Sequence, residues 1–308
     1  VDRSSIRQGN AVIAIKDVSD AILWSWHVWV TDEDINNVIE ITNHQNVKYN
    51  FMPVNLGQCD GNTITYEERS CKVKFIAGDQ SKEITIKQLA NVIATGSNAP
   101  FYQWGRKDPL YPSNGMGNTT KIWYDKEGIP STANPMKGTF SAGNDCIKNC
   151  ILNPNLMHNR YNGDYTYYNL WSADNKTTSA NDNPVNKTIY DPCPVGFKLP
   201  ASNAFTGFTT TGESVSSSTQ VNGTWSSSEK GWYFYTNSEK TQSIFFPALG
   251  YRSYSTMRPG SIGTQGCFWS AHPVAKGNNY YLRTSSVDVQ PTYMVDRGFG
   301  YALRPCQD

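Results

Sequence analysis

The chain has 308 residues, with 27 Lys plus Arg against 26 Asp plus Glu. That balance leaves no electrostatic footprint for nucleic acid or an acidic membrane face, and no apolar run approaches the roughly 20 residues of a membrane span. Aromatic residues make up 13% and charged residues only 17%, below the usual quarter or so. With its abundant Asn, Ser, Thr and Gly, this is the composition of an exported protein rich in strands and turns, not of a helical cytosolic enzyme.

The first residue is Val, and the chain reads as a processed or truncated fragment with its export signal upstream. Its seven cysteines are Cys59, Cys71, Cys146, Cys150, Cys193, Cys267 and Cys306. No CxxC pair occurs and the four histidines are scattered, so the ligand spacing of a zinc site is missing. Disulfides are the better reading, and an odd count leaves at least one thiol free.

In chain order, "NAVIAIKD" (10–17) and "AILWSWHVWVT" (21–31) predict two strands joined by a short polar turn. Strand side chains alternate, so Ile22, Trp24, Trp26, Val28 and Val30 share one wholly apolar face, expected to be core. Leu23, Ser25, His27 and Trp29 share a mixed face, where His27 is expected to find a hydrogen-bond partner. "YNFMPVNLG" (49–57) predicts a strand ending at Gly57. "TITYEERSCKVKFIAG" and "KEITIKQL" predict antiparallel strands about a turn at Gly78-Asp79, a small β insertion over 59–95. A turn-rich stretch runs from Gly96 to Ala142. "NDCIKNCILNP" (144–154) is the clearest helix, with Asn153-Pro154 as its stop, and "PASNAFTGF" (200–208) predicts a second short one behind Ser202. In "EKGWYFYTN" (229–237), Trp232 and Phe234 alternate with Tyr233 and Tyr235, one pair for the core and the other for an exposed aromatic patch. "YYLRTSSVDV" and "FGYALRPC" predict the closing strands.

The most specific stretch is "YDPCPVGFKLPASNAF" (190–205), followed by "FPALGYR" (246–252), "GCFWSA" (266–271), "YYL" (280–282) and "FGYALRPC" (299–306). In this order the segments resemble the Fibrobacter succinogenes major paralogous domain, a module related to C-type lectin-like domains. The earlier "ILWSWHVWVTD", "FMPVNLG", "YQWGRKDP" and "NLWSA" resemble the C-terminal portion of Bacteroidetes-type fimbrillin-family proteins. Together they cover roughly residues 9–306.

The resemblance implies an α+β, C-type lectin-like fold over 1–308, strand-rich, with two or so short helices and long loops. Its core segments would be 10–57 and 143–306. It implies an exported cell-surface or fimbrial adhesion module, part of a pilus tip protein, whose partners are a host glycan or surface protein and other pilus subunits. A structural pilus subunit or adaptor is the alternative, and an enzyme of the formylglycine-generating type a second one. It also implies a Cys193–Cys306 disulfide, which closes a long loop and so constrains the unfolded chain. Cys59 and Cys71, flanking the expected hairpin turn, are the next pair; Cys146 and Cys150 stay open, and Cys267 is expected to be the buried odd thiol.

Lectin-like domains that bind sugar through calcium carry a Glu-Pro-Asn or Gln-Pro-Asp loop and a Trp-Asn-Asp strand. Here "QPT" (290–292) lacks the acid and "FWSA" replaces the strand element, so neither a metal nor any cofactor is expected. No Ser-His-Asp order, nucleophile elbow or phosphate loop marks an active site, so no catalytic residue is assigned. The loop "SYSTMRPGSIGTQG" (253–266) occupies the region where such folds bind. Tyr254, Met257 and Arg258, with Tyr235, are the expected ligand-binding residues, because Tyr offers a stacking face and Arg a planar donor fork.

Overall fold

The turn at Asp17–Asp20, closed by Asp17 N–H to the Ala21 carbonyl at 2.9 Å, brings two apolar segments together. β1 (Gly9–Lys16) and β2 (Ile22–Val30) pair antiparallel, Ile13 opposite Trp26 and Ile15 opposite Trp24. The structure, a computed structural model, describes residues 6, 8–59, 64–88, 90–93, 99–112, 123–124, 130–131, 144–158, 170–173, 177–274 and 277–308. The expected turn-rich stretch 96–142 lies mostly outside these residues.

β3 (Ile39–Thr42) and β4 (Lys48–Phe51) form the next hairpin. β5 (Ile64–Tyr66), β6 (Arg69–Ala77), β7 (Gln80–Gln88) and β8 (Asn91–Ile93) occupy the expected insertion. β6 pairs with β7 about Gly78-Asp79, and β5 with β8. β9 (Pro100–Gln103), β10 (Leu110–Pro112), β11 (Trp123–Tyr124) and β12 (Pro130–Ser131) precede the helix α1 (Asn144–Leu152). β13 (Phe197–Lys198) leads into a 3₁₀ helix over Ser202–Phe208. Then come β14 (Gly223–Ser226), β15 (Gly231–Tyr235), β16 (Ser243–Pro247), β17 (Tyr251–Arg252) and β18 (Pro259–Gly260). β19 (Gly266–Pro273), β20 (Asn278–Thr284), β21 (Val289–Asp296), β22 (Gly300–Tyr301) and β23 (Cys306–Gln307) complete the chain. The protein is strand-rich α+β, built of several small antiparallel sheets with short helices.

The C-terminal strand returns to an early hairpin. β23 sits between β13 and β4 in a four-stranded sheet that β3 completes, with Cys306 opposite Phe51. Strand pairing stops at Phe51, short of the predicted Gly57. Even so, Met52 N–H donates to the Pro305 carbonyl at 2.9 Å and Leu56 N–H to that of Leu303 at 3.0 Å, so 52–56 still follows the C-terminal segment. β22 joins β9 and β17 in a five-stranded sheet.

Two aromatic clusters fill the interior. In one, Phe246 is ringed by Phe208, Phe234 and Phe268 at 5.0, 5.8 and 4.9 Å, and Phe208 stacks on Phe234 at 3.9 Å. In the other, Tyr301 lies 4.4 Å from Trp269 and 4.6 Å from Tyr281, and Trp104 lies 5.3 Å from Trp171. The indole N–H groups of Trp104, Trp171 and Trp269 all donate to backbone carbonyls, as buried tryptophan requires.

The "DPCPVGFKLP" stretch proves to be a loop organiser. The Asp191 carboxylate accepts the N–H groups of Cys193 at 2.8 Å and Leu199 at 3.0 Å. The Lys187 ammonium donates to the carbonyls of Cys193, Pro194 and Phe197.

Three sequence expectations are corrected. The apolar face of β2 is not core: β2 pairs with β1 alone in a two-stranded ribbon. Its inward face is the mixed one. Ser25 is buried and bonded to Asp108, Tyr102 O–H donates to His27 Nδ1 at 2.8 Å, and Trp29 Nε1–H donates to the Gln58 carbonyl at 2.9 Å. The middle of the apolar face is open, with Trp26 48%, Ile13 53% and Ile15 53% exposed, while Trp24 is half-buried beneath Lys107. Each polar group of the mixed face thus finds a hydrogen-bond partner.

The second concerns the cysteines: no disulfide joins Cys193 to Cys306 or Cys59 to Cys71 in this structure. Cys193 and Cys306 are both buried, and burial raises both pKa values, that of Cys306 to about 12. Of the turn expected between Cys59 and Cys71, residues 60–63 lie outside the described residues. Cys71 is exposed opposite Ile86 on the β6–β7 ribbon, whereas the Cys59 thiol lies 3.6 Å from Asn10 Nδ2. Cys267 is buried, with its pKa pushed up to about 12 by burial. The third correction is Met257, described with the site.

Candidate functional site

The sequence "GWYFY" sorts its side chains by strand alternation. Trp232 and Phe234 are buried, and Tyr233 and Tyr235 point to the opposite face. β15 is the central strand of the sheet β14–β15–β16. Thr224, Tyr233 and Phe245 stand directly opposite one another across its three strands, with Tyr235 and Ser243 as the next row. Tyr233, Tyr235 and Phe245 are half-buried, and Thr224 and Ser243 are exposed. The result is an aromatic surface on a support whose other face is core.

Local contacts hold the rings in place. Tyr233 and Phe245 lie 4.7 Å apart. Gly231 leaves room for the Phe245 ring, because a Cβ there would sit 2.6 Å from its Cζ and 2.6 Å from the Phe246 carbonyl oxygen. Tyr233 O–H donates to Glu229 Oε1 at 2.8 Å, and that bond raises the phenol pKa. The Tyr235 and Thr224 hydroxyls are 2.6 Å apart, and Lys240 Nζ sits 5.5 Å from the Tyr235 ring centre. Aromatic faces rimmed by a carboxylate, hydroxyls and an ammonium can stack on apolar C–H surfaces and hydrogen-bond the hydroxyls around them.

The structure distributes the four sequence-predicted residues unevenly. Tyr235 belongs to the surface just described. Tyr254, Met257 and Arg258 lie on the turn between β17 and β18, in a different sheet. Met257 turns inward and is 4% exposed, so it presents no ligand surface. Its backbone is left-handed at φ 58°, and Arg252 Nη1–H donates to its carbonyl at 2.9 Å. Tyr254 is half-buried edge-on against Phe299 at 4.8 Å, while Arg258 is exposed. The far end of the same loop reaches the aromatic sheet: Gly263 N–H donates to Ala248, and Ala248 N–H to Lys230, both at 2.7 Å. Phe245, Glu229, Thr224 and Lys240 were not singled out from sequence. Phe245 lies in "SIFFP", where adjacent phenylalanines must face opposite ways, and that was the available signal.

The closest approach to a hydrolytic pair is structural. Ser202 Oγ lies 3.2 Å from His272 Nδ1, but both residues are fully buried. Ser202 Oγ also accepts from Asn181 N–H at 2.8 Å and donates to the Asn181 carbonyl at 3.2 Å. This clasps the segment around Asn181 to β19. Among the described residues no group of three or more His, Cys, Asp or Glu could hold a metal ion, and no helix is long and apolar enough to cross a membrane.

Fold and surface together define a strand-rich α+β protein bearing an aromatic sheet face. The chain matches no family model, no curated protein and no solved structure.

Proposed function

We propose that this chain is a non-catalytic binding module of C-type lectin-like architecture on an exported, fimbrial surface protein. It would hold a glycan or a host surface protein without calcium on the outer face of β14–β16. The observation that carries the reading is the preformed row Thr224–Tyr233–Phe245 with Tyr235, on a sheet anchored by Trp232, Phe234 and Phe246. The pairing of β4 with the last strand agrees with a lectin-like chain path. Rigid aromatic rings bind with little loss of conformational entropy, and weak single contacts gain from many copies acting together. Arg258 and Tyr254 form a second, more distant contact region.

The test is a glycan and host-protein array probed with wild type and with Tyr233→Ala and Tyr235→Ala. Each substitution is expected to weaken binding about tenfold, about 1.4 kcal/mol, with an unchanged melting temperature. Binding that survives both substitutions would rule out this face.

A second reading, a pilus subunit or adaptor, is favoured by the β1–β2 ribbon. Its open face bears Ile13, Ile15, Trp26 and Val28, and contiguous apolar surface of this kind marks protein contacts. Silence on the array together with tight binding to a pilin would favour it.

A further inference from the structure

We propose that Cys150 is a peroxide-reactive thiol with Cys146 as its resolving partner, set in a cleft that admits molecules of water's size. The two residues lie one turn apart on α1 and so share a face. Both line a narrow cleft with Trp104, Arg106, Lys107 and Asp108. The space within it that water can occupy is about 20 Å³, enough for a molecule of water's size. Hydrogen peroxide is close to water in size and hydrogen-bonding habit. Cys146 is buried, while Cys150 is partly exposed.

The surroundings suit a thiolate. Arg106 is fixed by donating to the carbonyls of Leu156 and Pro154 and to Gln103 Oε1. Lys107 is held by Asp108 at 2.6 Å. Against burial, the Cys146 hydrogen bond, the Arg106 charge and the His158 imidazole keep the Cys150 thiol well below its usual range. A thiol beside a fixed cation and reached by a cleft is of the reactive kind.

The chemistry balances in two steps. The Cys150 thiolate attacks one peroxide oxygen: an S–O bond forms, the O–O bond breaks, and the departing hydroxide takes a proton to become water. The Cys146 sulfur then attacks Cys150: an S–S bond forms, the S–O bond breaks, and the oxygen leaves as a second water with the Cys146 proton. Two thiols are oxidised and one peroxide is reduced. Side chains one helical turn apart hold their Cβ atoms about 5–6 Å apart, whereas a disulfide needs about 3.5–4.5 Å. Closure therefore pulls on the last turn of α1, which ends at Leu152, and the bond formed is readily reduced.

The experiment treats fully reduced, folded protein with hydrogen peroxide at neutral pH and maps each cysteine by mass spectrometry. Cys71, exposed on β6, is the internal comparator. Cys150 is expected to oxidise roughly tenfold faster than Cys71. Wild type should lose two hydrogens between Cys146 and Cys150, restored by dithiothreitol, and Cys146→Ser should accumulate a dimedone-trapped sulfenic acid at Cys150. The bulky reagent dithionitrobenzoate should react with Cys71 first. Oxidation of Cys71 ahead of Cys150, or reaction at Cys150 only after unfolding, would overturn the proposal. Fast reaction of Cys150 with dithionitrobenzoate would overturn the size argument. Should Cys146→Ser fail to fold, the order of oxidation in wild type and in Cys71→Ser decides.

Discussion

His272 shows what a single buried side chain contributes. Burial lowers its pKa from 6.5 to about 4, outweighing its backbone contacts and Asp182. The unfolded chain then binds the proton that the folded chain refuses, so stability is full above pH 6.5 and is lost as pH falls towards 4. The shift corresponds to roughly 3 kcal/mol. His27 is lowered to about 4 by burial as well and acts in the same direction. Asp191, raised by burial, keeps its proton in the folded state above the usual carboxylate range and offsets part of the loss. Denaturant titrations at pH 7 and pH 4.5 should show a fall of a few kcal/mol in wild type. His272→Gln should flatten that dependence, and an unchanged slope would refute the assignment. Trp26 and Trp232 make a second contrast. Trp26→Ala removes a half-exposed ring from an open face and should cost less than about 1 kcal/mol. Trp232→Ala empties a core position that also bonds the Ser285 carbonyl at 2.7 Å and should cost roughly 3–5 kcal/mol. Chemical denaturation of the two variants checks the order.

At the scale of elements, Arg304 joins segments that local pairing cannot. Its fully buried guanidinium donates to Asn55 Oδ1 and to the carbonyls of Met52, Pro53 and Phe245, and it lies 4.4 Å from the Phe246 ring centre. Burial lowers its pKa to about 9. Arg304→Ala would leave four acceptors without this donor, at roughly 3–5 kcal/mol, and a melting temperature within a degree of wild type would contradict that role. Nothing in "FGYALRPC" announced it, because its partners come from distant segments. The elements themselves were largely legible. Period-two alternation placed β1, β2 and β15, Gly78-Asp79 placed the hairpin turn, and Asn153-Pro154 ended α1 at Leu152. What alternation cannot say is which face turns inward. In β2 the apolar face promised core, yet the contacts of Ser25, His27 and Trp29 reversed it. In "GWYFY" the same rule worked, because the facing strands supply Phe246 and Ile244 on the buried side. Met257 was misread for another reason: a left-handed backbone position is hard to foresee at a non-glycine residue.

For the whole molecule, the sequence led to a long loop as the recognition surface and the structure redirects attention to a sheet. The Tyr254–Arg258 turn is partly spent on its own packing, with Met257 in the core and Tyr254 against Phe299. The β14–β16 face has its rings held before any ligand arrives, which is the condition for binding without large ordering costs. That face and the β1–β2 ribbon belong to different sheets, so the two proposed roles can be tested apart. The most direct measurement is ligand binding by the Tyr233→Ala/Tyr235→Ala double variant beside Trp26→Ala, on a glycan and host-protein array, with melting temperatures recorded for both. The account predicts that the double variant loses at least about tenfold in affinity while melting as wild type does, and that Trp26→Ala binds normally. Undiminished binding by the double variant, with binding abolished in a folded Trp26→Ala, would contradict it and move recognition to the open ribbon face.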